Sequence, residues 1–378
     1  MNNKVPKIGI LTYHFADNFG AVFQAYALQQ LLSSLGYESE FIDYQPAHVQ
    51  KGGSFVLPIS KNRIKANVVT AYQKLTTLRQ MLFDDGSRQK KFLDFRRQHL
   101  TVGSRRFATL EELQNSEHGY DHLICGSDQI WNSSIQYGID PAYFLNFGNP
   151  QTNRISFAPS FGNGTVDTQH QKQVAGLLSS IDHLSVRETS GVELVKRLAG
   201  REAICVPDPT LMIDDFSAIV TDHEQRDYIM SYVLRSADTV TDVQRLVADT
   251  LNLPMLVPKD RYLKKQNLGT SIDPTPGQWL GYIRDANFVV TNSFHGTAFS
   301  VIFQKPFISV GITGRKSGVN DRAKSFLTRL GLQDRFIERY DPDVIRERIK
   351  TDIDWSSVSD RTHQWRQETI NFLQTSLN

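Results

Sequence analysis

The chain has 378 residues, of which 40% are hydrophobic and 22% charged, with a formal net charge of +2. That length is more than one hydrophobic core usually serves and predicts two domains, while the near-neutral charge excludes a general nucleic-acid binder. The two cysteines, Cys125 and Cys205, are too few for a disulfide framework or a cysteine zinc site and, each closing an apolar run, read as buried inert thiols.

At the N-terminus Lys4 and Lys7 precede only a short apolar segment, too short for a signal-peptide core. No run approaches the ~20 apolar residues that span a bilayer. The expected compartment is the cytoplasm. Residues 7–11, "KIGIL", predict a strand, "TYHFADNFG" a loop, and "AVFQAYALQQLLSSLG" a helix. In that helix Val22, Ala25, Leu28, Leu32 and Leu35 recur at three- and four-residue spacing, which predicts one buried stripe. Gly36 is placed to end it in a left-handed conformation. "YESEFIDY" alternates as a strand, completing a β-α-β unit of a parallel sheet.

Residues 60–115 are rich in lysine and arginine, as in "RQKKFLDFRRQHL". They predict an insertion of basic amphipathic helices, either a solvated face or a surface for an anionic acceptor or the inner face of a membrane. Further strands are predicted at 121–125, 154–158, 183–186 and 203–207. A second series follows residue 215: strand 227–233, helix 238–250, strand 253–258, helix 275–285, strand 287–291, a helix, then strand 306–311. Pro207 and Pro209 interrupt regular structure. The domains are therefore expected at 1–215, carrying the insertion, and 216–378, with a tail helix at 357–376 that could pack back across either. Two successive α/β halves predict a cleft, and ligands of open α/β sheets sit beyond the carboxyl ends of strands.

The strand ends carry the candidate site. "GSDQIWN" follows the strand at 121–125 and groups Ser127, Asp128, Gln129 and Asn132 beside Gly126; a capped turn accounts for the first residues alone, not for Gln129 and Asn132. "PSFGNG" offers Ser160 on a loop that a ligand can approach closely. Arg187, at the next strand end, can grip a carboxylate or phosphate with two parallel hydrogen bonds, or pair with Glu188. Asp208, between two prolines, is held stiffly enough to orient a partner group. In "TNSFHGTAFS" the residues Asn292 and Ser293 end a strand, and His295 falls in the first turn of a helix, beside Phe294, Gly296 and Thr297. A helix start favours bound anions, so His295 could hold a proton when an anion arrives and then pass it on; the alternative is a structural histidine. Lys305, Arg315, Lys316 and Arg322 lie downstream. No Walker loop, G-x-G-x-x-G, H-E-x-x-H or EF-hand spacing occurs, so no metal is expected.

The ordered set "GSDQIWN", "SFG", "SVRE", "DPTLM" and "TNSFHG", with an opening "GILTYHFADNFGAVFQAYAL", resembles the polysaccharide pyruvyl transferase family over residues 8–335. The resemblance implies two Rossmann-like domains facing a cleft, as in GT-B glycosyltransferases, with the acceptor on the first and the donor on the second. It implies phosphoenolpyruvate as co-substrate without a further cofactor. The implied acceptor is a sugar of a surface polysaccharide or its lipid-linked precursor, and the product a pyruvate ketal. On that basis His295 and Asp128 are the catalytic candidates. Arg187, Asn292, Ser293, Phe294, Gly296, Thr297, Arg315, Lys316 and Arg322 would bind the donor. Asp17, Asn18, Ser127, Gln129, Asn132 and Ser160 would bind the acceptor. In one place the sequence departs from the pattern. Many members carry arginine where Ser293 stands, so a cation must come from elsewhere, with Arg315, Lys316 and Arg322 as candidates. The alternatives are a GT-B glycosyltransferase using a nucleotide sugar, and a non-catalytic sugar- or anion-binding protein.

Overall fold

The computed structural model describes residues 6–50, 86–234, 238–259, 268–312 and 314–378, without the side chains of 50 and 315–317. Two parallel sheets form its frame. The first has five strands: β1 Lys7–Leu11, β2 Glu38–Tyr44, β3 Val102–Phe107, β4 His122–Cys125 and β5 Asn153–Ser156. Their order is β3-β2-β1-β4-β5. A short ladder, β6 Ser185–Val186 with β7 Ile204–Cys205, is linked to β5 through a bridge from Ile155 to His183. The second sheet has six strands: β8 Ile229–Tyr232, β9 Met255–Pro258, β10 Thr270–Ile272, β11 Phe288–Thr291, β12 Phe307–Val310 and β13 Phe336–Ile337. Their order is β10-β9-β8-β11-β12-β13. Strands such as "FVVT" and "MLVP" are buried at every residue, as expected for parallel sheets covered on both faces. Both sheets therefore have the Rossmann-like order, reversing between β1 and β4 and between β8 and β11. Those two reversals are where open sheets of this kind take ligands.

The first helix runs Phe19–Ser34, with Asn18 Oδ1 accepting from the Ala21 N–H at 3.3 Å. The apolar spacing predicts one buried stripe, but the helix is buried on nearly all sides from Phe19 to Leu32. The reason is its position. One side packs on the first sheet, and the other meets the second half, where Phe19 and Phe23 stack on Trp279 at 5.0 and 5.7 Å and Phe23 meets Phe299 at 5.2 Å. The two polar residues enclosed with it are satisfied. Gln24 donates to Thr12 Oγ1 and accepts from the Ser127 N–H, while Gln29 joins Ser39 O to the Thr101 N–H.

The segment expected as a helical insertion is only partly so. Residues 51–85 lie outside the described residues, and Ser87–His99 is a helix. Val102–Phe107, however, is an edge strand of the first sheet, paired with β2. Its exposed Arg105 and Arg106 are the kind of charged residue that protects sheet edges, and they made it look like more of the basic helix. The helix itself turns several cations inward. Lys91 Nζ lies 2.7 Å from Asp273 Oδ2 of the second half and Arg96 Nη1 lies 3.0 Å from Asp17 Oδ1. The Arg88 guanidinium covers the rings of Phe19 and Phe92. The last helix, Trp355–Leu377, returns to the first half, where Trp365 Nε1 donates to Cys205 O at 3.0 Å and Ser376 O accepts from Asn153 Nδ2 at 2.6 Å. Among the described residues, no helix is long and apolar enough to cross a membrane.

Candidate functional site

A cavity of about 580 Å³ opens where the two strand-order reversals face each other. The first half contributes Tyr13 and Asn18 after β1, and Asp128, Gln129 and Asn132 after β4. The second half contributes Asn292, Ser293, Phe294 and His295 after β11, together with Arg322. Its volume is in the range of small-molecule sites.

Ser293 caps the Phe294–Ile302 helix, its Oγ accepting from the Gly296 N–H at 3.4 Å. The capped first turn aims the positive end of the helix at the cavity. His295 sits in that turn, 7% exposed. Its Nε2 is enclosed and without a hydrogen bond, 3.5 Å from Asp208 Oδ2. Its Nδ1 lies across Gly20, in the first turn of the other domain's Phe19–Ser34 helix; a Cβ on Gly20 would come within 2.0 Å of it. Glycine is the residue that lets the ring enter there.

Asp208 is the hub behind the histidine. It is wholly buried. Its Oδ2 accepts from Arg187 Nη1 at 2.7 Å and faces Ser127 Oγ at 3.0 Å; its Oδ1 accepts from the Thr210 N–H and Oγ1. Burial alone would raise its carboxyl, but His295 and Arg187 outweigh it and hold Asp208 well below the usual carboxylate range. The Arg187 guanidinium is itself 2% exposed, lies over the Phe294 ring at 4.6 Å and reaches Asp128 Oδ1 at 3.6 Å. It stands behind the cavity wall, apart from the lining residues. Its neighbour Glu188 turns away and accepts from Ser160 Oγ and the Phe161 N–H. Burial raises the Glu188 carboxyl.

Asp128 reaches the cavity because the chain after β4 turns sharply. Gly126 has φ 136°, and a Cβ there would lie 1.8 Å from Phe157 O. Asp128 itself has φ 69°, and its Oδ1 accepts from the Gln129 N–H. Gln129 Oε1 accepts from Asn132 Nδ2 at 2.8 Å, so the two amides present one polar wall.

The structure thus brings His295, Asp128, Asn18, Gln129, Asn132, Asn292, Ser293, Phe294 and Arg322 onto one cavity. Several of the other candidates face elsewhere. Asp17 is paired with Arg96, and Ser127 and Ser160 are fully buried against Asp208 and Glu188. Gly296 packs on Thr291, and Thr297 Oγ1 bonds Ser293 O and Ser309 Oγ inside the domain. The side chains of Arg315 and Lys316 lie outside the described residues. Gly20 was not foreseen as a site residue. Its signal was available, since a glycine in the first turn of a buried helix marks a close approach.

The sequence model of the polysaccharide pyruvyl transferase family matches residues 18–314. No match was found among curated proteins. Among solved structures, S. aureus MnaA with UDP superposes with a TM-score of 0.51 at 8% identity, covering 99% of this chain and 97% of that one. The UDP-bound LpCGTa gives 0.48 at 10% identity, covering 99% of each chain. A UDP-N-acetylglucosamine 2-epimerase from Neisseria meningitidis, bound to UDP-GlcNAc, gives 0.43 at 7%, covering 98% and 99%. At such identities the likeness is one of fold, that of the GT-B glycosyltransferases and epimerases.

Proposed function

The chain belongs to the polysaccharide pyruvyl transferase family, and on that premise we propose that it transfers the enolpyruvyl group of phosphoenolpyruvate to a sugar, forming a pyruvate ketal. The acceptor is a sugar of a surface polysaccharide or of its lipid-linked precursor. The observation that carries this reading is His295, set in the positive first turn of a helix, on a cavity shared by both halves, with a buried carboxylate behind it.

In this reading the donor's acidic ends lie toward the Ser293–His295 turn and Arg322, which supplies the cation that Ser293 does not. His295 gives a proton to the methylene carbon, whose π electrons form the new C–H bond and leave the second carbon electrophilic. A sugar hydroxyl adds there and loses its proton to Asp128. The bond to the phosphate oxygen then breaks, and phosphate leaves with the electron pair. A second hydroxyl of the same sugar adds to the carbon and closes the ketal. The two hydroxyl protons balance the one gained by the new methyl group and the one gained by the phosphate. The reaction draws on no cofactor. Work at the inner face of the membrane fits a lipid-linked acceptor, with Lys90 and Arg97 on the exposed side of the Ser87–His99 helix.

The test is phosphate release from phosphoenolpyruvate with acceptor saccharides, beside nucleotide sugars as rival donors. His295→Gln should lower turnover by about 10²–10⁴-fold, the usual worth of general acid catalysis. Near-normal turnover would remove His295 from the mechanism, and release of nucleoside diphosphate from a nucleotide sugar, with no phosphate from phosphoenolpyruvate, would replace the donor.

A further inference from the structure

The two ring nitrogens of His295 have different surroundings, and neither set belongs to the histidine's own helix. Nε2 is enclosed and faces Asp208, on the loop after β7 of the first half. Nδ1 faces the first turn of the Phe19–Ser34 helix, at Gly20, beside the cavity-lining Asn18 and Ala21. We propose that Asp208 is a positioning residue that takes the Nε2 proton of His295 as a fixed hydrogen bond, so that Nδ1 is the nitrogen that exchanges a proton with substrate. The inference rests on His295 acting as the acid in pyruvyl transfer, and adds which nitrogen acts and what holds it.

Three features carry it. First, Asp208 has no freedom to do anything else with its position. Arg187, Ser127 and Thr210 fix its two oxygens, and it has no exposure to substrate. Second, Nε2 is a buried nitrogen with no other hydrogen-bond partner. A buried polar atom left unpaired is costly, the carboxylate it faces can only accept, and the 3.5 Å separation is the kind of loose catalytic contact that tightens when substrate binds. Third, the missing Cβ of Gly20 lets the Nδ1 side of the ring take its place beside the cavity-lining Asn18 and Ala21. Other charged groups around the ring are Arg187 and Asp128 behind and beside Asp208, and Arg322 across the cavity. Arg187 is bound to Asp208 and not among the cavity residues, so its part is to hold the carboxylate.

The test has one arm that needs no activity. With ¹⁵N-histidine labelling, and His295→Gln to assign the signal among the ten histidines, the neutral ring should show Nδ1 unprotonated and Nε2 protonated. The opposite tautomer overturns the proposal. In the kinetic arm, Asp208→Asn should lower kcat by roughly 10²-fold or more, within the range of general acid catalysis, while the donor KM stays within a few-fold. Gly20→Ala, on the other domain, should do the same by displacing the ring. Unchanged kcat in either folded variant, or a loss confined to KM, refutes it. If Asp208→Asn does not fold, Gly20→Ala and the tautomer decide. A wild-type protein that releases no phosphate from phosphoenolpyruvate defeats the proposed function instead, and leaves the tautomer result standing on its own.

Discussion

Single residues already carry measurable consequences. Asp208 is held as an anion against its burial by His295 and Arg187. Its folded pKa therefore lies below the unfolded value of about 3.9. The stability this adds is present above that value and is lost as pH falls below it, because the unfolded chain then binds a proton that the folded one refuses. Urea unfolding between pH 5 and pH 3 should show a shallower acid-side slope for Asp208→Asn than for wild type; equal slopes would contradict the assignment. The cysteines make a second case. Burial pushes the Cys205 thiol up to about 12 and Cys125 further still. Neither should react with iodoacetamide at pH 8 in the folded protein, and both should react in urea. Labelling of the native protein would refute the reading of inert thiols. At this scale the sequence was half legible. That His295, Asp128 and Asn132 face a shared cavity was legible because each follows a recognisable strand. Ser160 and Thr297 looked equally suitable, but a polar residue beside a glycine does not announce which way it points, and both point inward to Glu188 and Ser309. Asp208 was visible as a rigid carboxylate. Its partner, 87 positions along the chain, was visible only once the halves were together.

Among the elements, the Phe19–Ser34 helix is where the sequence pattern and the fold part most usefully. Its apolar residues at three- and four-residue spacing describe a helix lying on one sheet. Phe19 and Phe23, off that stripe, are explained by Trp279 of the Pro276–Arg284 helix. Trp279 is fully buried and also meets Tyr232 and Phe299 edge-on. Truncating it removes the ring around which this contact is built. Trp279→Ala should cost about 3–5 kcal/mol, as for other large-to-small core changes. It should also weaken turnover, because the same helix brings Gly20 to His295. Urea denaturation and phosphate release measure the two effects; a loss under about 1 kcal/mol would show that the contact is loose. The edge strand β3 escaped the pattern for the converse reason: its charges say what faces water, and say little about which ladder the backbone joins.

The molecule as a whole is two Rossmann-like halves that share one core. The largest apolar cluster runs from Ile8 and Phe23 through Met212 and Phe216 to Trp279, Phe299 and Leu373 without a break. Polar ties cross the same boundary, among them Lys91 to Asp273 and Trp365 Nε1 to Cys205 O. Large apolar interfaces bind domains more firmly than the polar contacts that allow free hinge motion. The repeated strand pattern was enough to predict the halves. The junction was not predictable, because a residue that packs on the neighbouring domain has the same composition as one that packs on its own. Firm coupling has a thermodynamic signature. Cutting the shared cluster exposes apolar surface on both sides, so neither half gains by staying folded when the other opens. The protein should therefore unfold in one cooperative transition, with tryptophan fluorescence and far-UV circular dichroism falling together and calorimetric and van't Hoff enthalpies in agreement. Two separated transitions would show that the halves are independent. His295 would then meet Asp208 and Gly20 only part of the time, and their contact would depend on domain closure rather than on a boundary already closed by packing.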